Sequence, residues 1–94
     1  MSNESIVKRM IEVCDQFERK EINIIELGES IRAHGSALES LGRDWEEFIT
    51  VFDGECESIE MDYFPKYQHE QGMKLIKKMK ESLAPKFPEL FEDK

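Results

Sequence analysis

The sequence is poor in the residues that build disulfide-stapled or membrane-spanning proteins. Its 94 residues include two cysteines, three prolines and one tryptophan. No run of about 18 apolar residues is present, so the sequence gives no signal for a membrane-spanning helix. Cys14 and Cys56 are too few and too far apart for a disulfide framework or a CxxC site, and we expect both to be reduced core residues.

Signals for β-strands and for secretion are also missing. The sequence has no sustained alternation of apolar and polar residues, and its Asp53-Gly54 pair lies inside a helical pattern rather than between two strands. The first residues, Met-Ser-Asn-Glu-Ser, lack the basic segment and apolar run of a secretory signal. We therefore expect a single domain, spanning residues 1–94, that stays in the cytoplasm.

Basic residues are absent from the middle of the chain. Between Asp44 and Phe64 there are eight acids and no lysine or arginine, whereas the flanking segments nearly balance, so this stretch accounts for the net charge of −8. Disordered acidic tails lack apolar groups, but this stretch also contains Trp45, Phe48 and Phe52. It therefore predicts a folded element with a strongly negative surface, for which a basic partner is the natural hypothesis.

Apolar residues recur every three or four positions in four segments, which is the pattern of amphipathic helices. It predicts helices over about 3–20, 24–41, 45–64 and 68–83, followed by a C-terminal extension over 85–94. Asn23 with Glu26, and Asp44 with Glu47, resemble helix-capping pairs, and Gly42 is expected to cap the end of the second helix. Gly28 and Gly35 are expected to mark close approach of a neighbour, or else a bend at His34-Gly35.

Short connections between these helices predict an all-α, antiparallel four-helix bundle. Pro65 is expected to stop the third helix, because proline lacks an N–H and disfavours helical geometry in the preceding residue. In the extension, Phe87, Leu90 and Phe91 could fold back on the core. Lys74, Lys77, Lys78 and Lys80 are expected on the outer surface of the fourth helix, pairing loosely with acids of the third.

The sequence offers little support for catalysis, metal binding or cofactor binding. The residues Cys14, His34, Cys56 and His69 are scattered singly over four elements, whereas zinc sites need such ligands at short spacing. Neither histidine has a glutamate three residues before it, as a di-iron bundle would require. We therefore expect no enzyme and no cofactor. Direct nucleic-acid binding is disfavoured too, because phosphates would be repelled by the central acids.

The third helix carries the candidate partner-binding residues. On a helical projection four acids form a stripe along one border of its apolar side, while Asp44, Glu55 and Asp62 lie along the other. Tyrosine and tryptophan are typical anchors at protein interfaces, so aromatic residues near the helix end join the acids as candidates. For Trp45, Phe48 and Phe52 we instead expect core packing. The predicted partner-binding residues are Glu46, Asp53, Glu57, Glu60, Asp62, Tyr63, Phe64 and Tyr67.

The order of elements resembles a known family. A short first helix is followed by Phe17-Glu-Arg-Lys-Glu-Ile-Asn-Ile-Ile-Glu-Leu-Gly-Glu-Ser-Ile31, an acidic aromatic helix and a closing amphipathic helix. This arrangement, over roughly residues 6 to 84, resembles the small all-α immunity proteins of the colicin D type and of contact-dependent growth inhibition systems. The resemblance implies a cytosolic protein that binds the C-terminal toxin domain of a secreted effector, often a transfer-RNA nuclease, and covers its basic cleft. It carries over no site residues.

Two other classes of function stay open. A helical adaptor or antitoxin-like module would use the apolar side of a helix to pair with another protein or with a second copy of itself. Such an interface would be nearly indifferent to salt, whereas a complex formed through the acids should associate more slowly as ionic strength rises. A small hydrolase that uses Cys14 or Cys56 is the third class, and it predicts thiol-dependent turnover.

Overall fold

The chain folds as a four-helix bundle, which confirms the predicted fold class. The computed structural model describes residues 2–91. Within that range there is no β-strand, and the helices are α1 (Asn3–Glu18), α2 (Ile24–Gly35), α3 (Arg43–Asp62) and α4 (Pro65–Leu83), followed by a short 3-10 helix (Pro88–Leu90). The last three residues of the predicted extension, 92–94, lie outside the described residues.

Helices α1 and α2 both begin with side-chain caps, and the cap of α2 is the one predicted from the sequence. The Ser2 hydroxyl accepts a hydrogen bond from the Ser5 backbone N–H at 3.2 Å. At α2 the capping box is complete, because Glu26 N–H donates to the Asn23 side chain and Asn23 N–H donates back to the Glu26 carboxylate. Each cap satisfies backbone donors that the first helical turn leaves free. Helix α1 ends at Glu18, two residues before the predicted boundary.

The second helix ends at Gly35, so the prediction that it runs to residue 41 was wrong. Leu38 is still buried, which explains the continuing apolar pattern, but it reaches the core from a loop. The Asn3 side chain holds this loop, donating to the Glu39 carbonyl at 2.8 Å and accepting from the Glu39 N–H at 3.0 Å. Gly42 caps the start of α3 rather than the end of α2, with a φ of 89° that favours glycine.

The α3–α4 junction is tighter than the sequence indicated. Helix α3 ends at Asp62, and only Tyr63 and Phe64, both in extended conformation, separate it from α4. Pro65 is the first residue of α4, three positions earlier than predicted. Proline is well tolerated there because the first helical N–H has no intrahelical partner and the ring pre-sets a helical φ. Asp44 lies in the first turn of α3 and does not cap it, since no side-chain cap is present.

The helices pack antiparallel around one apolar core. Gly28, early in α2, faces Cys56 late in α3, whereas Gly35 at the end of α2 faces Ile49 near the start of α3. The close approach predicted at both glycines is therefore confirmed. Phe87, Leu90 and Phe91 also pack against the core, as the sequence suggested. The buried core residues are Ile6, Val7, Met10, Cys14, Phe17, Ile24, Leu27, Ile31, Leu38, Trp45, Ile49, Phe52, Cys56, Ile59, Leu75, Ile76, Met79 and Leu83.

Candidate functional site

The acidic stripe, which we define as Glu46, Asp53, Glu57 and Glu60, follows the edge of α3 that faces α2. Glu46, Glu57 and Glu60 are exposed, whereas the Asp53 side chain is only 15% exposed and forms an ion pair with Arg32 of α2 at 2.9 Å. Three of the four carboxylates are therefore open to solvent, and the fourth is partly neutralised by a residue that the sequence analysis did not single out.

A shallow groove between α2 and α3 brings part of the stripe together with residues of α2. Glu29, Arg32, Asp53 and Glu57 line one section of it. The adjoining section continues past Arg32 to Glu46 and Thr50. The groove is thus negative along most of its α3 side, with one arginine in its middle. Sequence reasoning missed Glu29 and Arg32 because their place depends on how α2 packs against α3.

The lysines of α4 do not neutralise these acids. Within residues 2–91 the ion pairs are Arg19–Glu21, at the end of α1, and Arg32–Asp53. Lys74, Lys77 and Lys78 are exposed as predicted, whereas Lys80 is half-buried. No lysine of α4 forms an ion pair with an acid of α3 in this part of the chain. The expected loose pairing between the two helices is therefore not found, and the negative field of α3 is directed outward.

Exposed apolar side chains cluster where α3 meets α4. Phe64 is 74% exposed, and Tyr63 and Tyr67 are both more than two-fifths exposed. We call these three residues the aromatic corner. All three were predicted as partner-binding residues, and the two-residue junction leaves their side chains exposed to solvent. Asp62 is also exposed beside the corner, while Lys66 Nζ lies 5.0 Å from the Tyr67 ring centroid, within cation–π range.

The aromatic corner has a fixed backbone. The Gln68 side-chain amide donates to the carbonyl of Tyr63 at 3.0 Å and to that of Glu60 at 3.3 Å. These bonds satisfy carbonyls that the end of α3 leaves without intrahelical partners. Met61, at 79% exposure, extends the apolar surface along α3 and was not among the predicted partner-binding residues. Met61 lies on the same side of α3 as Val51 on a helical projection, and this spacing could have predicted its exposure.

The two cysteines are free and buried, as predicted. Burial raises the pKa of the Cys14 thiol from 9.0 to about 12. Burial, followed by the charges of Asp53 and Glu55, also raises the pKa of Cys56 to about 12. Both groups are therefore thiols at neutral pH, whereas nucleophilic chemistry requires the thiolate.

The two histidines have structural hydrogen bonds. His69 Nε2 donates to the carbonyls of Phe17 and Glu18, each at 3.1 Å, and its ring stacks on Phe17 with centroids 5.0 Å apart. His34 Nδ1 donates to the Ser30 carbonyl one turn earlier, at 2.8 Å. Over residues 2–91 no three His, Cys, Asp or Glu side chains are grouped so that they could hold a metal ion.

Comparison with known proteins adds no further assignment to this geometry. None of the helices in the described part of the chain combines the length and apolar character needed to cross a bilayer. No protein-family model matches the chain, and no match was found among curated proteins or solved structures.

Proposed function

We propose that the protein is an immunity-type inhibitor that binds a basic toxin domain through α3. The observation that carries this proposal is the outward acidic stripe. Glu46, Glu57 and Glu60 are exposed and form no ion pair with another described residue, although the chain has several exposed lysines on α4. Carboxylates in such a row can occupy positions that nucleic-acid phosphates would take in a basic cleft.

Charge and apolar contact have separate parts in this mechanism. The field of the acids raises the encounter rate with a cationic surface, and this effect weakens as salt screens it over about 10 Å at 0.1 M. A long-lived complex requires side chains that lose their contact with water on binding. The aromatic corner is suited to this role because it exposes large apolar groups to water. Inhibition would follow from covering the cleft, without any chemical step.

The choice of a toxin domain as the partner rests on the resemblance to small all-α immunity proteins. The alternative, an adaptor that pairs through the apolar side of a helix, finds less support. Trp45, Ile49, Phe52, Cys56 and Ile59 on that side of α3 are already buried in the chain's own core. The hydrolase alternative is weakened by the protonated state of both buried thiols.

The test uses the C-terminal domain of a secreted effector encoded beside this protein, with association rates measured by stopped-flow fluorescence at several salt concentrations. The double change Glu57→Lys/Glu60→Lys should slow association about tenfold at low salt, because it reverses charge inside the stripe. Glu70→Lys/Glu81→Lys is the matched control, since both residues are exposed on α4 and the net charge changes equally. Equal effects of the two changes would remove the stripe from the mechanism.

A further inference from the structure

The side of α3 opposite the core forms a second, weakly apolar strip. Val51, Gly54, Ser58 and Met61 lie within about 80° of one another on a helix of 3.6 residues per turn. All four are exposed, including Val51 at 53%. We call them the outer strip. It continues at its C-terminal end toward Phe64, so every exposed large hydrophobic side chain of the described residues lies on α3 or at its junction with α4.

Gly54 is the unusual member of this strip. The other helical glycines are explained by neighbours in the chain, because a Cβ at Gly28 would lie 2.9 Å from Cys56 Cβ, and Cβ atoms at Gly35 and Gly72 would meet Ile49 and Phe17. Apart from the adjacent residues and the local backbone of α3, no atom lies within 4 Å of a Cβ placed at Gly54. Glycine lowers helix propensity, yet no contact within the described residues requires it here.

Acids border the outer strip on both sides. Glu46 and Glu57 of the acidic stripe lie along one side, and Asp44, Glu55 and Asp62 lie along the other, each within about one residue step of the strip on the helical projection. Between Val51 and Met61 the surface is therefore a narrow line of small and apolar residues between two negative edges. Toward the start of α3 the same arc continues through two exposed charged residues, Glu47 and Arg43. The complementary surface is a helix with a small apolar stripe and Lys or Arg on both flanks.

We propose that the outer strip docks a basic amphipathic helix of the partner, which crosses α3 at Gly54. This inference rests on the proposed function, since it takes the partner to be basic, and it adds the mode of contact. Helix axes pack about 8–10 Å apart depending on the side chains at the crossing, so a glycine there permits close approach. A second copy of the chain is a poorer occupant, because two-fold pairing would place the acidic edges against each other.

The probe is a synthetic 21-residue helix with Ala and Leu at positions i, i+3, i+4 and i+7 and lysines on both flanks. A scrambled peptide of the same composition, without that periodicity, controls for general charge attraction. Binding is measured by fluorescence anisotropy. We expect the periodic peptide to bind at least about tenfold more tightly than the scrambled one, because only it presents an apolar stripe between basic edges.

Two variants locate the crossing. Gly54→Ala should raise the Tm of the free protein by about 4–8 °C, because a Cβ has open space there and alanine favours the helix. The same variant should weaken binding of the periodic peptide about fivefold, and Gly54→Gln about tenfold or more, because added atoms prevent close packing. Binding of the scrambled peptide should not change. Gln16→Ala, at an exposed position of α1, is the control and should alter neither affinity.

Unchanged affinity of the periodic peptide for Gly54→Gln would overturn the inference. If Glu57→Lys/Glu60→Lys nevertheless slows association with the toxin domain, the proposed function stands and only the crossing at Gly54 falls. If neither the acids nor Gly54 affects binding, both proposals fall together. A dimer of the free protein at micromolar concentration that Gly54→Gln dissociates, seen by analytical ultracentrifugation, would assign the strip to a second copy and would also overturn the inference.

Discussion

The indole N–H of Trp45 donates a hydrogen bond to the carbonyl oxygen of Gly35 at 3.0 Å. This bond joins the first turn of α3 to the last residue of α2. The same carbonyl, which has no partner within the helix, also accepts a hydrogen bond from the Leu38 N–H at 3.2 Å. The bond from Trp45 forms because Gly35 has no side chain, which lets the Trp45 ring and Ile49 lie against the backbone of α2. The end of α2 is thus held against the start of α3.

Replacing Gly35 with alanine should destabilise the protein by about 1–3 kcal/mol, because the new Cβ would overpack Ile49 and lie 3.3 Å from Trp45 Cζ2. The loss should occur although alanine is better by about 1 kcal/mol in helix propensity. Urea unfolding followed by Trp45 fluorescence measures it. Gly54→Ala, with open space at its Cβ, is the matched control and should gain stability. A Gly35→Ala protein as stable as the wild type would contradict the packing described.

Arg32→Gln should speed association with a basic partner. Arg32 partly neutralises Asp53, so its removal makes the groove between α2 and α3 more negative. We expect a two- to fivefold increase, on the order of what local charge changes produce at low ionic strength, with the increase lost at high salt.

The matched control for this change is Arg19→Gln, which removes the same charge from an ion pair with Glu21 at the end of α1. Stopped-flow measurements on both variants separate a local effect from a change in net charge. Equal acceleration of association by the two variants would show that the groove has no special part in it.

Alkaline pH should destabilise the protein through its buried thiols. The folded-state pKa values of Cys14 and Cys56 are raised to about 12, whereas exposed thiols in the unfolded chain ionise near 9.0. The unfolded chain therefore binds fewer protons than the folded one between about pH 9 and pH 12, and the free energy of unfolding falls as pH rises through that window. The slope should approach about 1.4 kcal/mol per pH unit for each thiol.

Urea unfolding at pH 8, 9 and 10 measures this slope. A Cys14→Ala/Cys56→Ala variant is expected to be less stable at every pH, because two buried side chains are shortened, but to lose most of the extra slope above pH 9. Parallel curves for the two proteins would show that the thiols do not carry the alkaline sensitivity.

Local sequence signals accounted for the helices and for most of the core. Asn23 and Glu26 form the capping box that their spacing predicted, and the apolar residues of α3 from Trp45 to Ile59 are buried with their expected period. Periodicity works here because a helix places every third or fourth residue on one side, whatever it packs against.

The boundaries that failed depend on contacts between distant residues. Leu38 continues the apolar period of α2, but Asn3, which is 36 residues away, holds the chain at Glu39 in a loop. Pro65 carries a stop signal for one helix and a start signal for the next, and the sequence alone does not say how few residues separate them. The partner of Asp53 likewise becomes visible only when α2 is placed beside α3.

The two-residue junction between α3 and α4 has a thermodynamic consequence. Tyr63 and Phe64 are held between two helices, and the Gln68 amide anchors the carbonyl just before Phe64. A flexible recognition loop loses backbone freedom when it docks, at a cost of about 1–2 kcal/mol for each residue that becomes ordered. Here the backbone freedom was lost during folding. Binding of a ligand at the aromatic corner should therefore proceed as rigid docking, without a slow conformational phase.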